Sequence, residues 1–200
     1  MRLGAWIARR IQYSAHMRDL LRFLPVVCAF LGLAVAELDA RPRTFVAGQG
    51  VRMKVDVPPG YSFKTETNPE GLTQVVLENP VWRIVVIAII SPEYTAETTT
   101  EEWQRNLVVS NSADYLAQSK EQDYRFRALN PAQGSGVYCV FTDPDVKPVD
   151  QLKPEEFNHV VVGTKVIRGG VMLFRILCND MSTPEYQEAF NLFVTGFDEA

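Results

Sequence analysis

Few side chains in this chain could carry out chemistry. Histidine occurs twice, at His16 and His159. A zinc site built on histidine draws on two or three imidazoles with cysteine or carboxylate partners in register. No such grouping is visible, so no metal ligand is assigned. A Ser-His-Asp hydrolase would recruit His159, but the strand-turn-helix nucleophile motif G-x-S-x-G is missing. Gly134-Ser135-Gly136 reads instead as a turn entering a strand, and His159 as a histidine at a strand end. No catalytic residue and no cofactor-binding residue is assigned, and a hydrolase built on His159 is the one enzymatic version left.

Cys139 and Cys178 are the thiols outside the N-terminal segment that holds Cys28. Two readings stand beside each other. In an oxidising compartment they are candidates for a disulfide. In a strand meander both of their strands flank the same neighbour, which holds them about 9–10 Å apart and favours two buried thiols. Asp143, Asp145 and Asp150 share one loop and carry oxygen ligands of the kind calcium takes. The loop lacks the regular spacing and glycine of an EF-hand, so a solvated acidic loop is expected. Trp82, Trp103 and a phenylalanine stripe near the C-terminus are expected in the core. Glu101 and Glu102 suit the start of a helix, where the dipole favours negative charge.

These residues need elements to place them. Val51, Met53, Val55 and Val57 alternate with polar residues, the mark of a half-buried strand, which stops at Pro58-Pro59-Gly60. Residues 72–78 form a second strand candidate behind the turn signal Asn68-Pro69-Glu70-Gly71. Residues 84–90 are continuously apolar and β-branched, so both faces of that strand are expected to be covered. A helix is expected from an N-cap at Thr99 through Trp103, Leu107 and Leu116, then strands at 124–129 and 136–142. A proline-punctuated loop spans 143–154, followed by a hairpin of strands 159–167 and 171–178 around Gly169-Gly170. The last helix is expected to open on a capping box, Ser182 with Glu185, and to align Tyr186, Phe190, Phe193 and Phe197 on one face. The fold class is therefore α/β of the α+β kind: a mainly antiparallel sheet of about six or seven strands with helices on both faces.

The N-terminus supplies an address. Arg2, Arg9, Arg10, Arg18 and Arg22 precede an apolar run, residues 23–36, that ends in Ala34-Val35-Ala36. This is the layout of a secretory signal peptide, with Ala34 and Ala36 at the positions a signal peptidase reads and Glu37 as the first mature residue. The run is shorter than the roughly 20 residues a membrane-spanning helix needs, so no stable span is expected after processing. A start at Met17 gives a compact basic region and is an alternative origin of translation. The formal net charge of −4 is then an average. Residues 1–36 hold five Arg and Asp19, so the remaining 164 residues carry 15 basic and 23 acidic side chains, a net −8. Such a surface repels phosphate backbones and anionic headgroups, which argues against nucleic-acid and membrane-surface partners. Residues 37–50 read as a flexible tether and 51–200 as one globular domain.

Val55-Asp56-Val57-Pro58-Pro59-Gly60-Tyr61, together with Phe190, Phe193 and Phe197 near the C-terminus, resembles the PsbP-like family, whose fold is shared by a Ran-binding nuclear transport factor. Tyr61 stands where that family usually has Trp, and Thr195-Gly196 replaces its usual serine before the final Phe. The resemblance implies an antiparallel sheet flanked by helices that docks onto other proteins and usually lacks catalytic machinery. The expected function is an exported, non-catalytic binding or assembly module in the periplasm or outside the cell, with a protein of the envelope or medium as partner. The alternative is a carrier of a small hydrophobic ligand, held between the sheet and the last helix.

Overall fold

The computed structural model describes residues 41–47, 50–91, 100–129, 134–167 and 170–199. The expected signal peptide with its expected cleavage residues Ala34, Ala36 and Glu37, the expected N-cap at Thr99, and Gly169 lie outside them. Ten strands and two α-helices follow in the order β1 (Arg41–Ala47), β2 (Val51–Val57), β3 (Ser62–Thr67), β4 (Thr73–Asn79), β5 (Ile84–Ser91), α1 (Glu101–Leu116), β6 (Arg127–Ala128), β7 (Gly136–Thr142), β8 (His159–Ile167), β9 (Gly170–Cys178), α2 (Pro184–Thr195) and β10 (Phe197–Glu199). A seven-stranded antiparallel sheet runs β3-β4-β5-β9-β8-β7-β6, and a three-stranded sheet runs β1-β2-β10. The fold is α+β.

Alternation along the strands divides the large sheet into two faces. From one face Val75, Leu77, Val86, Ala88, Met172, Phe174 and Ile176 join Met53 and Val55 of the small sheet and Ala189, Leu192 and Phe193 of α2 in one core. From the other face Val137, Cys139, Phe141, Val160, Val162, Leu173 and Leu177 join Val108 of α1. Along β5 the residues facing α2 are buried, while Ile87 and Ile89 on the α1 face stay half-buried. Complete cover of both faces of this strand is therefore corrected. The cause is that the contacts of α1 with the sheet are concentrated on β7 and β8.

Several elements differ from expectation for local reasons. Residues 41–47, read as tether, pair along their whole length with β2, burying Phe45 and Ala47. β3 escapes the periodicity reading because it is an edge strand with exposed Lys64 and Glu66, charges that discourage further strand pairing. Residues 124–129 contribute only the short β6, because Tyr124 and Phe126 stack on each other and Tyr124 meets Phe141 edge-on. Helix α1 is capped by Thr100, whose hydroxyl accepts from the Trp103 amide at 3.2 Å. Its buried stripe is Gln104, Val108 and Ser112, and Gln104 is satisfied by the Ser135 and Thr164 hydroxyls at 3.0 and 3.3 Å. The cap of α2 is Thr183 in place of Ser182, which instead donates to Asp180. Phe197 leaves the helix after Gly196 and pairs with Val55 in β10. The buried Lys165 ammonium donates to the Val194 carbonyl in the last turn of α2, where the helix dipole favours a cation.

Phe174 lies flat against Phe193, and both are fully buried. The space under Phe174 exists because position 163 on β8 is glycine: a Cβ there would run into the Phe174 ring and stand 2.6 Å from the Tyr138 Cβ. Gly163→Ala is expected to lower stability by about 1–3 kcal/mol, the usual cost of overpacking a core. Urea unfolding followed by circular dichroism measures this, and an unchanged midpoint would count against the packing described.

Candidate functional site

The residues with chemical potential gather at one end of the large sheet. There β7 ends at Thr142, β8 begins at His159, β9 ends at Cys178, and the β4-β5 connection turns through residues 80–83. The loop 143–158 closes over this end and contains one 3-10 turn, Val149–Gln151.

A buried polar network fixes the loop. The Asn158 amide nitrogen donates to the carbonyls of Lys147 and Asn179 at 2.8 and 3.2 Å, and its oxygen accepts from the Lys147 amide at 3.1 Å. Glu156, also buried, accepts from the Lys153 amide at 3.2 Å and pairs with Lys147 at 3.6 Å. That backbone hydrogen bond and the nearby Lys147 hold its carboxyl below the ordinary range. Asp143 accepts from the Asp145 amide at 2.7 Å, while Asp150 sits exposed in the 3-10 turn. Among the described residues no three His, Cys, Asp or Glu side chains converge on one point.

His159 Nδ1 stands 3.3 Å from the Thr142 hydroxyl. Burial pushes its pKa below the ordinary histidine value, against the opposing pull of Asp180 and Glu121. Ser135, the serine of the Gly134-Ser135-Gly136 turn, lies at the far end of β7, bonded to Gln104. His159 and Ser135 are therefore not brought together. A small cavity beside the network, lined by Ser119, Phe141, Thr142, Phe157, Asn158 and Val160 among others, measures about 10 Å³ and has room for about one water.

Cys139 and Cys178 are both unbonded and buried. Cys139 pairs with Val162 and Cys178 with His159, positions of opposite parity along β8, so the thiols point to opposite faces and belong to separate cores. Burial pushes their pKa values up to about 11 and about 12. Neither forms an appreciable thiolate at neutral pH, which suits packing and not nucleophilic work.

The feature that sequence reasoning missed is the β4-β5 turn. Trp82, expected in the core, is 49% exposed and Val81 80% exposed, because the turn projects past the end of the sheet. The turn is held from both sides. Asn79 accepts from the amides of Val81 and Trp82, each at 3.1 Å. Arg83 takes a left-handed φ of 53°, a sparsely populated conformation for a non-glycine residue. Its guanidinium donates to the carbonyls of Val149 and Leu152 at 3.0 and 3.3 Å, and to that of Lys153. These bonds clamp the turn to the loop and set Val81 and Trp82 near the exposed Val149. The signal available in the sequence was the turn dipeptide Asn79-Pro80 followed by two large apolar residues.

No protein-family model, curated protein or solved structure matches this chain. The thiol arrangement has a direct consequence: Cys139 and Cys178 are expected to resist a disulfide-exchange reagent in the native protein at neutral pH and to react once it is unfolded without reductant. Failure to react after unfolding would mean that the two are bonded.

Proposed function

We propose that this chain is an exported, non-catalytic binding or assembly module of PsbP-like kind that acts through contacts with another protein in the periplasm or outside the cell. The observation that carries this reading is the Val81-Trp82 tip, exposed yet rigidly mounted by Asn79 and Arg83. Exposed large aromatic side chains on a preorganised mount are typical anchors of protein interfaces, because little conformational freedom is lost when they dock. The polar groups around the tip support it as structure: Asn158 and Glu156 spend their hydrogen bonds on the loop, and the Asn179 side-chain oxygen accepts from the Asn158 backbone amide. The basic and apolar N-terminal layout supports the export part of the reading.

The carrier reading gains less from the packing. Between the sheet and α2 the space that a ligand would take is occupied by Phe174, Phe193, Phe190 and Tyr138, whose rings contact one another. Native mass spectrometry separates the two readings, since a carrier retains a small molecule through purification.

Photo-crosslinking from position 81 in the native source is expected to yield one defined protein adduct. Trp82→Ala should abolish it with the melting temperature unchanged, because the side chain it removes lies outside both cores. Arg83→Ala should weaken it through loss of the clamp. An adduct that survives Trp82→Ala would overturn the assignment of the tip. Amino-terminal sequencing of the same material should begin at Glu37, and retention of residues 1–36 would remove the export part of the reading.

A further inference from the structure

Five large apolar side chains stand exposed among the described residues, and four of them belong to one end of the large sheet. Val81 and Trp82 lie in the β4-β5 turn, Val146 and Val149 in the loop 143–158. Single exposed apolar residues are ordinary, whereas a gathering of them marks a surface made for contact. Arg83 joins the two segments through the carbonyls of Val149, Leu152 and Lys153. Asn158 holds both the amide and the carbonyl of Lys147, between the two exposed valines of the loop. The turn and the loop are therefore fixed relative to each other.

The charges set among these residues are mostly acidic. Asp145 adjoins Val146 and Asp150 adjoins Val149, and both aspartates are exposed. Glu155 is exposed two residues beyond Lys153, and Asp143 is half-buried at the start of the loop. Asp145, Asp150 and Glu155 make no ion pair among the described residues. Against these four carboxylates stand Lys153 and Arg83, and the Arg83 guanidinium is turned onto backbone carbonyls. Lys147 is cancelled by its partner Glu156. Around His159 at the same end, Glu121 and Asp180 outnumber Lys120. Adjacent Cα atoms are about 3.8 Å apart, so each of the two aspartates lies within the Debye length of about 8 Å from its valine.

We propose, resting on the docking function above, that the partner is a protein offering an apolar pocket ringed by lysine and arginine side chains. Trp82 enters the pocket, and Asp145, Asp150 and Glu155 face its basic rim. Charge complementarity selects this occupant. Exposed carboxylates around an apolar anchor speed the approach of a cationic surface and turn away an anionic one. An anionic lipid surface is repelled by the same groups that attract a basic protein. A second copy of this chain would bring an equally acidic rim to the contact, so two tips repel each other. The anchor and the rim divide the work: the indole supplies the apolar area, and the carboxylates choose the partner.

The probe is a fluorescent amphipathic peptide of leucine and lysine. Its leucine-glutamate counterpart and phosphatidylcholine vesicles, with and without phosphatidylglycerol, are the other arms. Anisotropy titration with the purified protein is expected to show binding of the leucine-lysine peptide, while the leucine-glutamate peptide stays free and the protein does not sediment with the vesicles. Trp82→Ala and the neutralised loop Asp145→Asn/Asp150→Asn/Glu155→Gln should each raise the dissociation constant about fivefold or more. Raising the salt from about 50 to about 500 mM should weaken the wild type strongly and the neutralised loop little. The same change of charge at the opposite end of the sheet, Glu66→Gln/Glu70→Gln/Glu102→Gln, should leave binding near that of the wild type. Equal binding of the two peptides, binding of neither, an equal loss in the far variant, or vesicle binding that Trp82→Ala abolishes would each overturn the proposal. The adduct from position 81 keeps the two readings apart. An adduct whose yield ignores both salt and the neutralised loop overturns the basic pocket alone, whereas the absence of any adduct overturns the docking function.

Discussion

Glycine at position 163 is the constraint on which the rest of the architecture depends. Because β8 carries no side chain there, Phe174 lies down across the sheet and presents its ring to Phe193 of α2. That contact seats the helix. Once seated, α2 delivers Phe197 into β10 beside Val55, and the small sheet closes over the same core through Phe45, Met53 and Val55. The last turn of the helix is also held electrostatically, by the buried Lys165 on the strand that provides Gly163. One missing Cβ thus couples the large sheet, the C-terminal helix and the small sheet.

The opposite face is organised by a weaker principle. Helix α1 has no continuous apolar stripe, and its contact with the sheet runs through Gln104, Val108 and Ser112. Gln104 is tolerated there because Ser135 and Thr164 meet both ends of its amide. A helix held by such a narrow stripe covers only the strands beneath it. The incomplete burial of Ile87, Ile89 and Val76 goes with that narrow contact, and among the described residues the buried Nε of Arg175 on the same face has no hydrogen-bond partner. An asymmetric fold results, with a tightly filled core on one side and a partly open strip on the other.

What could be read in advance follows from the range of the interactions involved. The limits of β7 and β8 were visible because alternation and turn residues are local signals. The small sheet was not, since β1 has only Phe45 and Ala47 facing inward and β10 is three residues long. Phe197 fitted the helical spacing, and only the C-cap at Gly196 and its pairing with Val55 remove it from the helix. Trp82 was misplaced because aromatic residues usually lie inside, and nothing near it in the chain announces that Arg83 reaches carbonyls more than sixty residues away. Arg175 is a different case. A single arginine inside an apolar nine-residue strand is visible in the sequence, and its meaning depends on knowing which face of the sheet it occupies.

The polar cluster around His159 shows how a group of functional-looking residues can be structural. Catalysis needs a nucleophile, a base and a place for the reacting atom within reach of one another. Here the base is lowered in pKa by burial, its hydroxyl neighbour is Thr142 on the adjacent strand, and the nearby cavity has room for about one water. The Asn158 side-chain amide is committed to the loop at both its oxygen and its nitrogen. Their combined effect is to hold residues 147–158 rigid, and that rigidity gives Arg83 fixed carbonyls to grip. Polar chemistry at this end of the sheet thus holds the loop and, through Arg83, mounts the Val81-Trp82 turn.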